Sequence, residues 1–247
     1  MIEVSRRRVK PTGGHALLPT ASGLKVLQVP NRVTKAMLDR VDQVIVVTPH
    51  RIPDSVWREL PGLKSLQAVH KRLGKDAAGR ALRGSLGAST GVSLGALPAP
   101  LKKSKAALPT PFALLKFAGK LAADALTDEQ RSIGVLVHGF GADDGNRVTT
   151  ALLLALGARA WQGPVFQKKV LAPALKTVHL FGRREHLDIA RTLAEIEGAN
   201  LVRWLTALPA NKLSASAYRD VLGALAKQYD WDFAWLGEAE LRKLNAG

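Results

Sequence analysis

The stretch IGVLVHGFGADDGNRVTTALLLALGARA (residues 133–160) contains the unit that decides the fold class. Ile133–His138 is a short, nearly all-apolar run, the pattern of a strand covered on both faces. Gly139, Gly141 and Gly145 then mark a turn. Asn146 to Ala160 is rich in Ala and Leu and reads as a helix. Four further runs have the same character: Leu24–Val29, Gln43–Thr48, Gly91–Leu97 and Thr177–Phe181. Helical patterns lie between them. Ser55–Leu73 carries Val56, Leu60, Leu63, Leu66, Val69 and Leu73, and Pro61 divides it into two short helices. Thr110-Pro111 reads as N-cap and first-turn proline, after which Leu114, Phe117, Ala118, Leu121 and Ala125 recur every three or four residues. Strands alternating with helices imply an α/β sandwich with helices on both faces of its sheet.

The last quarter changes character. Glu185–Leu205 reads as one long helix, with Leu187, Ala190, Ala194, Leu201, Trp204 and Leu205 on one stripe, ended by Pro209. Ser214 caps a second helix with Tyr218, Val221, Leu222, Leu225 and Ala226 inward. A short strand candidate, Phe233–Leu236, and another helix start follow. This is the layout of a second domain barely begun.

The 247 residues are 47% apolar and 23% charged, enough for a large buried core and against a disordered chain. There is no cysteine, which excludes disulfides, Cys-ligated metal and thiol catalysis. No apolar run reaches the ~18–20 residues that cross a bilayer, so no membrane is expected. The basic start, Met1–Lys10, is not followed by the apolar segment of a secretory signal, and a cytoplasmic location is the expectation. The formal charge of +16 is uneven: residues 1–120 hold 21 Lys/Arg and 6 Asp/Glu, whereas residues 121–247 hold 15 and 14. Two clusters lie beside Pro and Gly, Arg6, Arg7, Arg8 and Lys10, then Lys102, Lys103 and Lys105. They are candidate contacts for nucleic acid or another polyanion. The plainer reading is a solvated basic surface. Few aromatics accompany them, which argues against base stacking on a single-strand platform.

Several motifs fail on context. Gly91-Val-Ser93-Leu-Gly95 matches G-x-S-x-G, but a nucleophile elbow needs a helix at once after the serine, and Pro98 and Pro100 forbid it. Ser93 reads as a mid-strand residue. His138-Gly139-Phe140-Gly141 resembles an oxyanion loop, and Gly139–Gly145 a loose dinucleotide loop, with an ADP-ribose or nucleotide pocket at that turn as a further option. Asp143 and Asp144 would repel phosphate at the helix start, so a tight strand-to-helix turn is the better reading. His15, His50, His70, His138, His179 and His186 show no metal spacing.

Glu197-Gly-Ala-Asn200-Leu201-Val-Arg203-Trp-Leu205, then Pro209-Ala-Asn211, then the helix capped at Ser214, resembles a segment of the leucyl aminopeptidases, the cytosol aminopeptidase family. There a connecting helix leads into the catalytic domain through E-x-x-N-L-x-R-x-L and P-x-N. The motif match covers about residues 185–247. Upstream the likeness is architectural.

The resemblance implies an α/β fold: a three-layer, macro-like sandwich with a mixed sheet, then a long helix and the first elements of a second α/β domain. It divides the chain into a basic arm (1–20), an N-terminal domain (21–184), a connecting helix (185–209) and the incomplete start of a catalytic domain (210–247). It also implies a two-metal exopeptidase that releases N-terminal residues from peptides, using two zinc or manganese ions and assembling as a homo-oligomer, typically a hexamer. Some bacterial members bind DNA.

The family's metal ligands lie downstream of this segment. The fragment Asp76-Ala77-Ala78-Gly79-Arg80 echoes their N-T-D-A-E-G-R signature only superficially, with Ala78 where the metal-binding Glu belongs. No catalytic or metal residue and no cofactor is therefore assigned within this chain. Leu201, Trp204, Leu205, Trp231 and Trp235 are candidate contacts to a catalytic domain or to other subunits. The alternative is a non-catalytic relative that serves as a basic nucleic-acid-binding or assembly module.

Overall fold

The computed structural model describes residues 18–19, 23–59, 63–74, 81–86, 90–99, 108–127, 130–164, 175–182 and 186–245. The chain divides into two compact units, residues 22–200, and residues 201–247 with 1–21. The boundary falls within one helix.

The larger unit is built on six strands: β1 (Lys25–Val29), β2 (Gln43–Thr48), β3 (Ala81–Ser85), β4 (Gly91–Ala96), β5 (Ser132–Val137) and β6 (Thr177–Phe181). Their order across the sheet is β1-β6-β5-β2-β4-β3. All neighbours are parallel except β3, which runs antiparallel to β4 at one edge. The sheet is therefore mixed.

Side-chain alternation in the central strand shows why the sequence runs are apolar throughout. Ile45 and Val47 of β2 point to one face, where they join Ile133, Val135, Val178 and Leu180 under helices α4 (Pro111–Ala125) and α5 (Ala142–Arg159). Val44 and Val46 point to the other face and join Val92, Leu94 and Leu136. There Leu38 of α1 (Lys35–Leu38), Val56 and Trp57 of α2 (Asp54–Glu59), and Leu66 of α3 (Lys64–Leu73) cover them. Both faces are dry, giving the three-layer sandwich that the period predicts.

The helix boundaries follow local chemistry. Thr110 Oγ1 accepts from the Ala113 N–H at 3.3 Å, and Pro111 occupies the first turn of α4. The inward stripe of α4 is Leu114, Phe117, Ala118, Leu121, Ala122 and Ala125, all buried. α2 ends at Glu59 and α3 begins at Lys64, giving the two short helices expected; Pro61 itself lies outside the described residues.

The amino ends of the central strands are fastened by Asp42. Its Oδ2 accepts from the backbone N–H groups of Arg131 and Ser132 and from the Ser132 hydroxyl, each at 2.9 Å.

Helix α6 (Ile189–Ala207) crosses the unit boundary. It begins four residues later than the apolar stripe alone suggests. Asp188 supplies the reason: its Oδ1 accepts from the Arg191 N–H at 2.9 Å in N-cap fashion. In the smaller unit, Ser214 Oγ accepts from Ala217 at 3.3 Å and caps α7 (Ala215–Tyr229). Leu205, Val221 and Leu225 form its buried centre, with Leu18, Leu201, Trp204, Leu208, Leu213 and Leu222 around them.

Asp230, in the left-handed region at φ 54°, ends α7. The expected strand over Phe233–Leu236 does not form: residues 231–237 are irregular. A strand needs a neighbour for its backbone groups, and among the described residues no hydrogen bond engages the backbone of Asp232–Leu236. The expected helix after it is α8 (Glu238–Lys243).

Candidate functional site

In an open α/β sheet, ligands bind beyond the carboxyl ends of the strands where successive connections leave by opposite faces. Here β2 leads into α2 and α3 on one face, and the adjacent β5 leads into α5 on the other. The switch point therefore lies between Thr48 and Val137. It is built from Pro49 and His50 after β2, Ser55 in the first turn of α2, and His138-Gly139 after β5.

The His138 backbone N–H continues the ladder to Val47 O at 2.9 Å. Its ring Nε2 lies 2.9 Å from Ser55 Oγ. His50 Nδ1 lies 3.3 Å from Leu97 O. Gly139, at φ 83°, turns the chain in a conformation that favours glycine. Gly141 then precedes α5, with Asp143 and Asp144 in its first turn and Arg147 Nη1 3.8 Å from Asp144 Oδ1.

The chemistry of this edge is limited. Nucleophilic catalysis needs a base oriented by a third group, and no described carboxylate hydrogen-bonds to the His138 imidazole. The Ser55–His138 bond instead ties the end of β5 to the start of α2. The carboxylates of Asp143 and Asp144 occupy the electropositive helix start, as in the turn reading of the sequence.

Ser93 is a buried mid-strand residue whose hydroxyl accepts from Gln43 Nε2 at 3.0 Å. A Cβ on Gly95 would lie 2.8 Å from Leu121 Cδ2 and 2.9 Å from Phe117 Cζ. That glycine serves close packing of α4, not an elbow.

Two groups depart from ordinary acid–base behaviour. Burial alone would raise the Asp42 pKa, but the hydrogen bonds from Ser132 and Arg131 and the Arg131 charge outweigh it, so the carboxyl titrates lower than usual. Burial lowers the pKa of His179, whose ring stacks on Phe181 at 5.9 Å. Neither faces the switch point in the sequence: Asp42 precedes β2, and His179 lies within β6.

Arg6, Arg7, Arg8, Lys10, Lys102, Lys103 and Lys105 lie outside the described residues, as does the 76–80 fragment. Leu201, Trp204 and Leu205 gather in the small unit's own apolar cluster. Trp231 and Trp235 are 61% and 41% exposed, and the Trp231 ring stacks on Tyr229 at 5.0 Å.

No group of three or more His, Asp or Glu suited to a metal ion occurs among the described residues. None of the described helices is long and apolar enough to cross a membrane. One surface feature escapes the sequence reading. The periodicity that sends Leu114 and Phe117 inward turns Phe112, Leu115, Lys116 and Lys120 outward along α4.

No known protein-family profile matches the sequence, and no curated protein matches it. Solved structures do. The fold is that of the leucyl aminopeptidases. The enzyme from Trypanosoma brucei in complex with actinonin aligns with a TM-score of 0.64 at 13% identity, over 93% of this chain and 45% of its own. A mutant of tomato leucine aminopeptidase aligns with a TM-score of 0.60 at 13% identity, over 98% of this chain and 48% of its own. The bottromycin maturation enzyme BotP in complex with Mn gives 0.51 at 20% identity, over 82% of this chain and 40% of its own. The chain thus spans somewhat under half the length of the structures it matches. The leucyl-aminopeptidase likeness extends over both units of the chain, at identities that establish fold alone.

Proposed function

We propose that this chain is the non-catalytic N-terminal part of a leucyl-aminopeptidase-like two-metal exopeptidase, with the metal-binding and catalytic groups supplied outside residues 1–247. The carrying observation is that nearly the whole chain superposes on less than half of each aminopeptidase. The described residues offer no ligand set that fits a two-metal centre, so no step of metal chemistry is assigned to them. The α/β sandwich serves as scaffold, and the exposed segment around Trp231 and Trp235 as an attachment surface. The absence of cysteine accords with the reducing cytoplasm, where the reading places it.

The test is hydrolysis of a leucyl chromogenic anilide with added manganese or zinc. The chain alone is expected to give no turnover above the metal blank. Turnover comparable with a full-length leucyl aminopeptidase overturns the reading.

The uneven charge favours a second reading, a basic module that binds polyanions. Residues 1–120 carry +15 of the total +16. Duplex DNA binding should then weaken with salt at a log–log slope of about −0.9 per phosphate neutralised. Replacing Arg6, Arg7, Arg8 and Lys10 by Ala should make that slope shallower by about 1 for each phosphate left unneutralised. Binding indifferent to salt, or none at low salt, removes this reading.

A further inference from the structure

Residues 77–123 contain seven Lys or Arg and no Asp or Glu. α4 is the helix of this acid-free stretch. Its inward stripe is buried, from Leu114 to Ala125. After Pro111 its exposed positions are Phe112, Leu115, Lys116, Gly119 and Lys120. They are spaced i, i+3, i+4, i+7 and i+8, which makes one continuous helix face. Phe112 is 76% exposed and Leu115 43%. Among the described residues no carboxylate pairs with Lys116 or Lys120. Asp124, the carboxylate that ends the stretch, is already held by Arg83 at 2.6 Å. A Cβ on Gly119 would meet nothing within 4 Å, so the face has room for a flat surface there. In sequence, Lys102, Lys103 and Lys105 precede the helix. The face is apolar and cationic, with no opposing charge of its own.

Those two properties together select among anionic partners. A nucleic-acid backbone would pair with the lysines and leave Phe112 and Leu115 against charged phosphates and water. A single exposed aromatic ring is also too little for a base-stacking platform. An anionic bilayer suits both kinds of side chain. Its acyl boundary takes the apolar pair, and its phosphates meet ammonium groups at the headgroup level. None of the described helices is long and apolar enough to cross a bilayer, so the contact is interfacial.

We propose that the outer face of α4 docks on anionic lipid bilayers. Phe112 and Leu115 enter the interface, and Lys116, Lys120 and the Lys102, Lys103 and Lys105 cluster meet lipid phosphates. The inference rests on the basic-module reading and gives it a particular face and partner. It is independent of the aminopeptidase reading, and a peptidase result leaves it untouched.

Flotation of the full chain with lipid vesicles tests it. Wild type should bind vesicles of phosphatidylcholine mixed with phosphatidylglycerol, and bind pure phosphatidylcholine far more weakly. At low salt, Lys116→Ser with Lys120→Ser should weaken binding about 25-fold, roughly fivefold per lysine. Phe112→Ser with Leu115→Ser should weaken it at least about tenfold, and the remainder should vanish at about 0.5 M salt, where exposed charges are screened. All four side chains are exposed, so folding is spared. Gly119→Glu introduces a better helix former and a charge that repels lipid phosphate, and it should weaken binding as the lysine variant does. The chain has no cysteine, so Gly119→Cys accepts a single environment-sensitive dye, whose emission should shift to the blue on anionic vesicles.

A wild-type chain that ignores anionic vesicles overturns the proposal, as does equal binding to neutral ones. So do α4 variants that bind like wild type while replacement of Arg6, Arg7, Arg8 and Lys10 abolishes binding, or a dye that stays in water. Salt-sensitive binding to duplex DNA without binding to vesicles leaves the basic-module reading standing and overturns this one. Binding to neither removes both.

Discussion

Asp42 joins the amino ends of β2 and β5 through three hydrogen bonds to one carboxylate oxygen. Because its folded pKa is lowered, its contribution is present above the unfolded pKa near 3.9 and is lost as pH falls through the folded value. Asp42→Ala should lower unfolding stability at neutral pH by about 1–2 kcal/mol, the charged hydrogen-bond scale discounted for exposure. It should also flatten the stability–pH curve on the acid side. Urea titrations from pH 2 to 7 check both.

His179 acts in the same direction over a higher window. Its neutral form suits the half-buried site, so stability is full above the ordinary pKa of 6.5 and falls as pH drops through it. His179→Leu should remove that part of the acid loss between about pH 7 and 5. A variant curve parallel to wild type over this range refutes the assignment. Sequence reading marks His179 only as a histidine in a strand run. Its partial burial depends on strands β1 and β5, far away in the chain.

At the scale of elements, two features of α4 and α5 are separately testable. Thr110→Ala removes the α4 cap bond and should cost about 1 kcal/mol. Gly157 of α5 is where α6 comes closest: an added Cβ would lie 2.5 Å from Ile196 Cγ2, and Asn200 Nδ2 donates to Gly157 O at 3.2 Å. Gly157→Val should destabilise by about 1–3 kcal/mol through overpacking, whereas Ile196→Ala in the same background should recover part of it. Thermal melts of the single and double variants measure that coupling.

The caps, the division into α2 and α3 and the apolar runs of five strands are legible in the sequence, because each is a local property of its residues. β3 is not. Ala81-Leu-Arg-Gly-Ser85 has no strand period and is ordered by pairing with β4, Leu82 facing Leu94 and Gly84 facing Val92. The reverse error occurs at Phe233–Leu236, where a suitable composition has no neighbour to pair with.

For the whole molecule, the two units differ in what holds them. The larger is centred on a doubly covered sheet, the smaller on Leu205, Val221 and Leu225. The smaller unit should therefore open at lower free energy. Native-state hydrogen exchange should show amides of α7 exchanging well ahead of those in β2 and β5. Equal protection in both would mean that they open together.

The sequence by itself determined the layers, since an all-apolar strand period can be satisfied only between two helical layers. It also determined the charge asymmetry, and it carried the Glu197–Asn211 pattern that resembles the leucyl aminopeptidases. Tertiary structure decided the rest. It placed the switch point between β2 and β5, showed Ser93 packed and bonded inside the sheet, and separated the half-buried Trp204 from the exposed Trp231 and Trp235. The physical reason is that periodicity specifies which side of an element is apolar. Whether that side is covered depends on which distant element, or which second molecule, arrives to cover it.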